Sequence, residues 1–465
     1  MACHVLAVPY PGRGHVNPMM NLCKILASLR APNEQEILIT FVVTEEWQGL
    51  IGSDQTRLNS ITISTIPNVL PSELVRGSDF PGFYEAVMTK MEAPFEVLLQ
   101  DLQTHVTIII ADAELQWAVP LANRWNIPVA TLWTNSASVF SMFLHFHLLR
   151  QNEHLGINFS EHGEERVENI PGVSSTRISD LPTIFHGNDN KVLQLALQCI
   201  SRVKQAQYLL INSIYCLEPQ AIDILKSIYS LPVYSIGPAI PFFDMNNNHD
   251  TDGQNPNYIE WLNSQPRGSV LYISLGSFLS VSRQQVDELV AGVRESGVRF
   301  LWVARGDNWK QDFGARGLVV SWCEQLKVLC HPSVGGFLSH CGWNSVLEAT
   351  FAGVPILTFP IFFDQTPNSK QIVEDWKVGW RGRERTGVDN VVTREEISVL
   401  IGRFMNSEST ECDELRRKAK QVQEVCRRAF AEGGTSVNDL NAFIKDVLHS
   451  KDLLQRLVNS KNSLC

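Results

Sequence analysis

Short apolar, β-branched runs recur along this chain, each followed by a stretch of helical length, and that rhythm is interrupted once. Such alternation indicates an α/β protein built on parallel sheets. In the first half the strand candidates are 5–8, 37–43, 61–66, 106–111, 129–132 and 208–212, with helices near 16–29, 83–102, 115–125 and 136–150. The interruption, 237–266, is rich in Pro, Asn, Asp and Gly and includes Asn246-Asn247-Asn248 and Asp250-Thr251-Asp252-Gly253. So polar a stretch cannot bury a core and reads as a linker. Strand candidates then resume at 270–274, 299–303, 318–320, 335–338 and 355–358, with helices near 283–295, 344–352 and 365–376, and 393–448 is helical by pattern. The expected architecture is two doubly wound domains of roughly 200 residues each. Residues 1–236 form the first, 237–266 the linker, 267–448 the second and 449–465 a tail. In open parallel sheets ligands bind at the carboxyl ends of the strands, so the expected site is a cleft that both domains face.

Composition excludes several alternatives. The chain is 44% hydrophobic and 19% charged with a net charge of −10, and its Lys and Arg residues are scattered. Nucleic-acid binding needs a clustered basic surface. The most apolar helical stretch, 136–149, is too short to cross a bilayer and carries His145 and His147. The first residues lack the charged flank and apolar length of a signal peptide, so a cytoplasmic protein is expected. The ten cysteines include no Cys-x-x-Cys pair. Cys323, Cys330 and Cys341, near His331 and His340, lack the ligand spacing of a zinc finger, and reduced thiols are the simpler reading. Asp250-x-Asp252 resembles a metal-holding carboxylate pair but falls in the polar linker.

The chemistry concentrates in one segment. Residues His340 to Ser345 form a Gly-containing turn leading from a strand into a helix, and Glu348 lies one turn further on. A helix amino end offers unpaired N–H groups and partial positive charge, a natural seat for a diphosphate. Taken singly, each residue also has an ordinary role: His340 or Trp322 in packing, Asn344, Ser345 or Asp364 in capping, Glu348 on a solvated helix face.

The whole segment from Trp322 to Gln365, WCEQLKVLCHPSVGGFLSHCGWNSVLEATFAGVPILTFPIFFDQ, resembles the 44-residue signature of the plant secondary-product glycosyltransferases, UDP-dependent enzymes of GT-B fold. PYPGRGHVNP near the start and SLGSF at 274–278 extend the resemblance. It implies a UDP-sugar donor, with His340, Asn344 and Ser345 on the phosphates and Ser277 adding a hydroxyl. Glu348 would take the ribose, and Trp322 would stack on uracil beside backbone groups that read its edge. Gln325 and Trp343 belong to the same donor set, and Asp364 and Gln365 would hold hydroxyls of the transferred sugar. A terminal Gln usually accompanies glucose in that family. Cys323-Glu324 replace the usual Ala-Pro, Phe359 stands where Trp is common, and Arg13 where Gln is common.

The same resemblance makes His15, in the turn after the first strand, the general base. Histidine suits that role because its pKa lies near working pH. Asp112, ending the strand 106–111, is placed to orient the imidazole and stabilise its cation. The expected reaction is inverting and metal-independent, with no cofactor beyond the UDP-sugar. Its acceptor would be a small hydrophobic plant-type metabolite, such as a phenolic or terpenoid, accepting through a hydroxyl or carboxyl. Loops around Tyr10, 69–83, 136–149 and 183–192 would line its pocket. Phe80, Phe83, Trp133, Phe140, Phe143 and Phe185 would make that pocket apolar, unless they are core. A monomer is expected. An epimerase would need a Gly-x-Gly-x-x-Gly turn that Pro11-Gly12-Arg13-Gly14-His15 does not supply. A non-catalytic UDP-sugar sensor or scaffold would keep the long segment while losing the base.

Overall fold

The computed structural model describes residues 3–28, 37–51, 60–151, 162–186, 190–242, 257–276, 281–304, 313–384 and 390–462, with side chains as far as 448. Ser277, Asp250 and Asp252 lie outside the described residues, as does the middle of the linker read at 237–266, residues 243–256.

The first sheet comprises β1 (Cys3–Val8), β2 (Ile37–Thr44), β3 (Ile61–Ile66), β4 (Ile108–Asp112) and β5 (Val129–Trp133). After the two-stranded hairpin of β6 (Arg166–Val167) and β7 (Thr176–Arg177), it continues with β8 (Tyr208–Ile211) and β9 (Val233–Ser235). Its order is β3-β2-β1-β4-β5-β8-β9, all parallel. β1, β4, β5 and β8 are buried along their whole length, which is why they read as unbroken apolar runs rather than as alternation. The second sheet comprises β10 (Val270–Ser274), β11 (Arg299–Val303), β12 (Gly317–Val320), β13 (Val334–Ser339), β14 (Ile356–Thr358) and β15 (Gly379–Arg381), in the order β12-β11-β10-β13-β14-β15, also parallel.

Each sheet reverses its winding once. In the first the reversal lies between β1 and β4, in the second between β10 and β13. At such a switch point the two connecting loops part to opposite faces and leave a crevice at the strands' carboxyl ends. The helix that opens just after β1 carries His15 in its first turn, β4 ends at Asp112, and the loop after β13 with the first turn of the next helix carries His340 to Ser345.

The compact units are not contiguous in sequence. One contains Met1–His147, Asn188–Ala239 and Ala429–Cys465; the other contains Leu148–Gly187 and Ile240–Arg428. The first returns to the chain's end because the helix Thr435–Asn462 bonds to β9 and to the residues just after that strand. Asp439 accepts from the Ser235 N–H at 2.7 Å, Ser436 donates to the Gly237 carbonyl at 2.6 Å, and Phe443 packs edge-on to Tyr208 at 5.5 Å. These partners differ from the division at 236 and 267 drawn from composition. Composition reports where the chain is polar, not which element a distant helix covers. The reading of 237–266 as irregular linker also meets a helix, Asn257–Asn263, whose Tyr258 and Leu262 are buried.

Short elements escaped the sequence pattern. β9 and β15 have three residues each, too few to show a period. The helix expected over 83–102 is two, Phe80–Lys90 and Glu92–Asp101, meeting at Met91.

Candidate active site

The Gly12 carbonyl accepts from the N–H groups of His15 and Val16, at 2.9 and 2.8 Å, and so opens the helix Arg13–Ser28. His15 therefore sits in the first helical turn after β1. Its Nδ1 lies 2.9 Å from Asp112 Oδ2 and 3.0 Å from Thr134 Oγ1. Asp112 is the last residue of β4 and is 1% exposed; its second oxygen accepts from the Glu114 N–H at 3.0 Å. Thr134 directly follows β5. Three adjacent strand ends thus converge on one ring nitrogen. With the proton on Nδ1, shared between these oxygens, the Nε2 lone pair is left as the basic site. Burial of the ring disfavours its cation, but the charge and hydrogen bond of Asp112 outweigh that and raise the His15 pKa to about 9.

The surroundings of this pair are firmly packed. The Tyr10 ring is 4.9 Å from the His15 ring, and the Arg76 guanidinium donates to the Pro11 carbonyl at 3.1 Å. Arg13, the residue beside the base that departs from the common motif, turns away to lie over Trp47 at 5.9 Å. The expected apolar pocket wall is corrected in part. Phe83, Trp133, Phe140 and Phe143 are core residues of the first unit, at most 2% exposed, with Trp133 edge-on to Phe140 at 5.1 Å. Phe185 belongs to the second unit. Aromatic content could not separate lining from core because both need the same side chains.

The segment expected to hold the nucleotide has its own order. The helix Trp343–Ala352 starts at Gly342, which has no side chain to cap it. Its first turn, Trp343, Asn344 and Ser345, therefore presents the positive end of the helix to the loop. Trp343 was expected in the donor set, but its indole is 3% exposed and packs 6.1 Å from Trp376, so only its main chain faces that role. His340 is closed in by Gly276 and Gly342: a Cβ at either would come within 2.7 or 2.4 Å of its Nε2. Gly276 also has φ +85°, a conformation that favours glycine. Burial holds the His340 pKa down to about 4, so at neutral pH the ring is an uncharged donor.

Glu348 and Gln325 clasp each other. Gln325 donates from one amide nitrogen to Glu348 Oε2 at 2.8 Å and to Ser345 Oγ at 3.0 Å, while its oxygen accepts from the Tyr272 hydroxyl at 3.2 Å. Burial raises the Glu348 pKa to about 7, against the pull of the Gln325 hydrogen bond. Trp322 is 58% exposed, which removes the packing alternative and leaves its face open to a base. The Cys323-Glu324 departure is structurally compensated. Glu324 has φ −75°, within the range a proline would impose, and the N–H that a proline would lack donates to the Tyr258 hydroxyl at 3.3 Å.

Asp364 precedes the helix Gln365–Lys370 yet does not cap it; its Oδ2 accepts from Asn368 at 2.7 Å, and Asn368 also donates to the Cys341 carbonyl at 3.0 Å. The Gln365 oxygen accepts from the Ile361 and Phe362 N–H groups at 2.8 and 3.1 Å. Thr134, Tyr272 and Asn368 were not singled out in sequence. Asn368 carries a readable signal, four residues beyond Asp364; Thr134 and Tyr272 carry none, because only the folded arrangement of strand ends and helices brings them in. Among the described residues no group of three or more His, Cys, Asp or Glu side chains is arranged to hold a metal ion, and no helix is long and apolar enough to cross a membrane.

Comparison with known proteins shows the family. A sequence model described as "UDP-glucoronosyl and UDP-glucosyl transferase" matches residues 104–391. UDP-glycosyltransferase 87A2 of Arabidopsis thaliana is 49% identical over 451 residues, 96% of this chain and 97% of that protein. UDP-glycosyltransferase 87A1 of the same plant is 49% identical over 447 residues, 95% of this chain and 99% of that protein. Among solved structures, Medicago truncatula UGT71G1 complexed with UDP-glucose superposes with a TM-score of 0.79 at 25% identity, covering 96% of this chain and 98% of that one. Phytolacca americana UGT2 complexed with UDP-2-fluoro-glucose and pterostilbene gives 0.78 at 27% identity, covering 96% and 99%. The two parallel sheets, each wound in both directions, are the Rossmann-like domains of the GT-B fold, and the chain belongs to the plant family 1 UDP-glycosyltransferases, enzymes that transfer a sugar from a UDP-sugar.

Proposed function

We propose that this enzyme transfers glucose from UDP-glucose, with inversion and without a metal, to a hydroxyl or carboxyl of a small hydrophobic plant metabolite such as a phenolic or terpenoid. The observation that carries the reading is the His15–Asp112 pair, 2.9 Å between Nδ1 and Oδ2. Nε2 removes the acceptor proton as the acceptor oxygen attacks the anomeric carbon from the face opposite UDP, through an oxocarbenium-like state. Asp112 holds the ring's tautomer and stabilises the imidazolium that forms. The carbon–oxygen bond to UDP breaks, and the charge left on the diphosphate is met by the amino end of the helix Trp343–Ala352, the neutral His340 donor, and the hydroxyls of Ser345 and Ser277. In this scheme Glu348 accepts the ribose hydroxyls, Trp322 stacks on uracil beside Gln325, and Asp364 and Gln365 hold the sugar. Gln365 supports glucose: its oxygen is occupied by two main-chain N–H groups, which leaves its amide nitrogen to donate to a sugar hydroxyl. The Phytolacca structure with pterostilbene supports a small aromatic acceptor. A monomer acting in the cytoplasm completes the proposal.

The test is release of UDP from UDP-glucose with and without a panel of phenolic, terpenoid and carboxylic acid acceptors, with products identified by mass spectrometry and NMR. A β-glucoside formed in the presence of a chelator is expected. A retained α-linkage, or transfer abolished by the chelator and restored by a divalent cation, overturns the corresponding part.

A further inference from the structure

The turn that carries Asp364 and Gln365 is strained, and a short stretch of chain within the same unit bonds to it on both sides. Phe363 has φ +59°, a conformation that a bulky side chain avoids. Both of its main-chain polar groups are engaged by Thr183. The Phe363 N–H donates to Thr183 Oγ1 at 2.7 Å, and the Phe363 carbonyl accepts from the Thr183 N–H at 3.0 Å. On the other side of the Asp364–Gln365 pair, Thr366 Oγ1 donates to the Leu181 carbonyl at 2.8 Å, and Thr366 is buried. The pair is therefore bracketed by residues 181 and 183.

That stretch is itself anchored. Asp180 is 1% exposed and receives both guanidinium nitrogens of Arg381, the last residue of β15, at 2.8 Å each, plus the Arg177 Nε at 3.0 Å. A two-pronged charged bond fixes direction as well as distance. The load path runs from the sheet edge through Arg381 and Asp180 to Thr183, and from Thr183 to Phe363. The contacts of Glu348, Gln325 and His340 lie on other elements: Gln325 with Tyr272 and Ser345, His340 between two glycines.

We infer that Thr183, steadied by Asp180, is a positioning residue that sets the sugar specificity of the donor site by locking the Phe363 turn and so aiming Asp364 and Gln365 at the hydroxyls of the transferred hexose. The inference rests on the reading that Asp364 and Gln365 hold the sugar. Without the Thr183 hydroxyl, the Phe363 N–H loses that acceptor and the left-handed conformation loses one of the bonds that offset its cost, so the turn shifts toward a relaxed geometry. Hydrogen bonds to the hexose depend on sub-ångström placement, whereas the uridine and diphosphate contacts do not involve this turn.

The experiment compares affinity for UDP and for UDP-2-fluoroglucose by calorimetry, together with kcat/KM for UDP-glucose and UDP-galactose, in the wild type, Thr183→Val, Thr183→Ser and Asp364→Ala. Thr183→Val keeps the shape and removes only the hydroxyl. It is expected to bind UDP within about twofold of wild type, to lose about tenfold for UDP-2-fluoroglucose, and to discriminate less between the two epimeric donors. Thr183→Ser should restore all three readouts. Unchanged UDP affinity also reports an intact fold; if Thr183→Val does not fold, Thr366→Val, which removes the bond to Leu181, carries the same expectation. The inference is overturned if Thr183→Val, or Thr366→Val in its place, keeps the wild-type ratio of the two affinities while Asp364→Ala loses it. If Asp364→Ala also keeps that ratio, the failure lies in the assignment of Asp364 to the sugar.

Discussion

His15 and Asp112 are bonded at 2.9 Å although they stand 97 positions apart in sequence, because β1 and β4 are neighbours at the point where the first sheet reverses its winding. Their coupling raises the His15 pKa to about 9, and a base must be unprotonated to act. The acceptor-limited rate, kcat/KM, should therefore rise with pH up to about 9. In Asp112→Asn that limb should move down toward the ordinary histidine value of about 6.5, with the rate lower by about 10²- to 10⁴-fold. The stability linkage has the opposite sense. The pair contributes fully below about pH 6.5, and the contribution is lost as pH rises through about 9. Stopped-point assays across pH 6–10 and thermal melts of both proteins check the two signs.

His15→Ala should bring transfer down by about 10²- to 10⁴-fold while leaving UDP affinity nearly intact, since the residues assigned to UDP all come from the second unit. Calorimetry with UDP and product formation by chromatography separate the two effects. Full turnover in this variant with an ordinary alcohol acceptor would remove His15 from the base role.

Glu348 is expected to bind ribose as a carboxylate, yet burial raises its pKa to about 7. Below that pH the uncharged acid must lose its proton before it can accept two hydroxyls. The UDP dissociation constant should then rise about tenfold for each pH unit below 7, a trend that Glu348→Gln should flatten while weakening binding above pH 7, where the carboxylate is ionised. The variant retains UDP's own phosphate titration and so isolates the contribution of the side chain. For folding alone the sign reverses: the unliganded protein gains stability as pH falls from 7 toward the ordinary glutamate range.

Gly342 has φ −60°, which any residue can adopt. A Cβ there would still come within 2.4 Å of His340 Nε2. Gly342→Ala should therefore fold, displace the His340 ring from the phosphate loop, and weaken UDP binding by about tenfold or more. Unchanged affinity would mean that His340 does not contact the diphosphate.

Replacing Asp180 should destabilise the second unit. Asp180→Ala leaves Arg381, 10% exposed, and Arg177 without the carboxylate they share. Leaving a buried charge wholly unpaired costs about 3–5 kcal/mol, and because Arg381 keeps Glu374 and Arg177 keeps Glu164 the loss should fall below that. A lowered melting temperature in Asp180→Ala, partly recovered in the double variant with Arg381→Met, would be the expected pattern.

Much of this protein was determined by the order of its residues alone. The two parallel sheets were legible because strands buried on both faces must be apolar throughout, and the nucleotide segment was legible because a strand, a glycine turn and a helix amino end are consecutive in sequence. Only tertiary structure decided everything that depends on which strands become neighbours. Thr134 joins His15 at neighbouring strand ends, and Tyr272 of β10 meets Gln325 of a following helix, with no spacing to reveal either. The stretch around Thr183, read as part of the first domain, belongs to the second unit, and the last helix belongs to the first. Hydrophobic period records that a face must be buried, not which surface will cover it, so the segment that brackets Asp364 and Gln365 became visible only once the chain was folded.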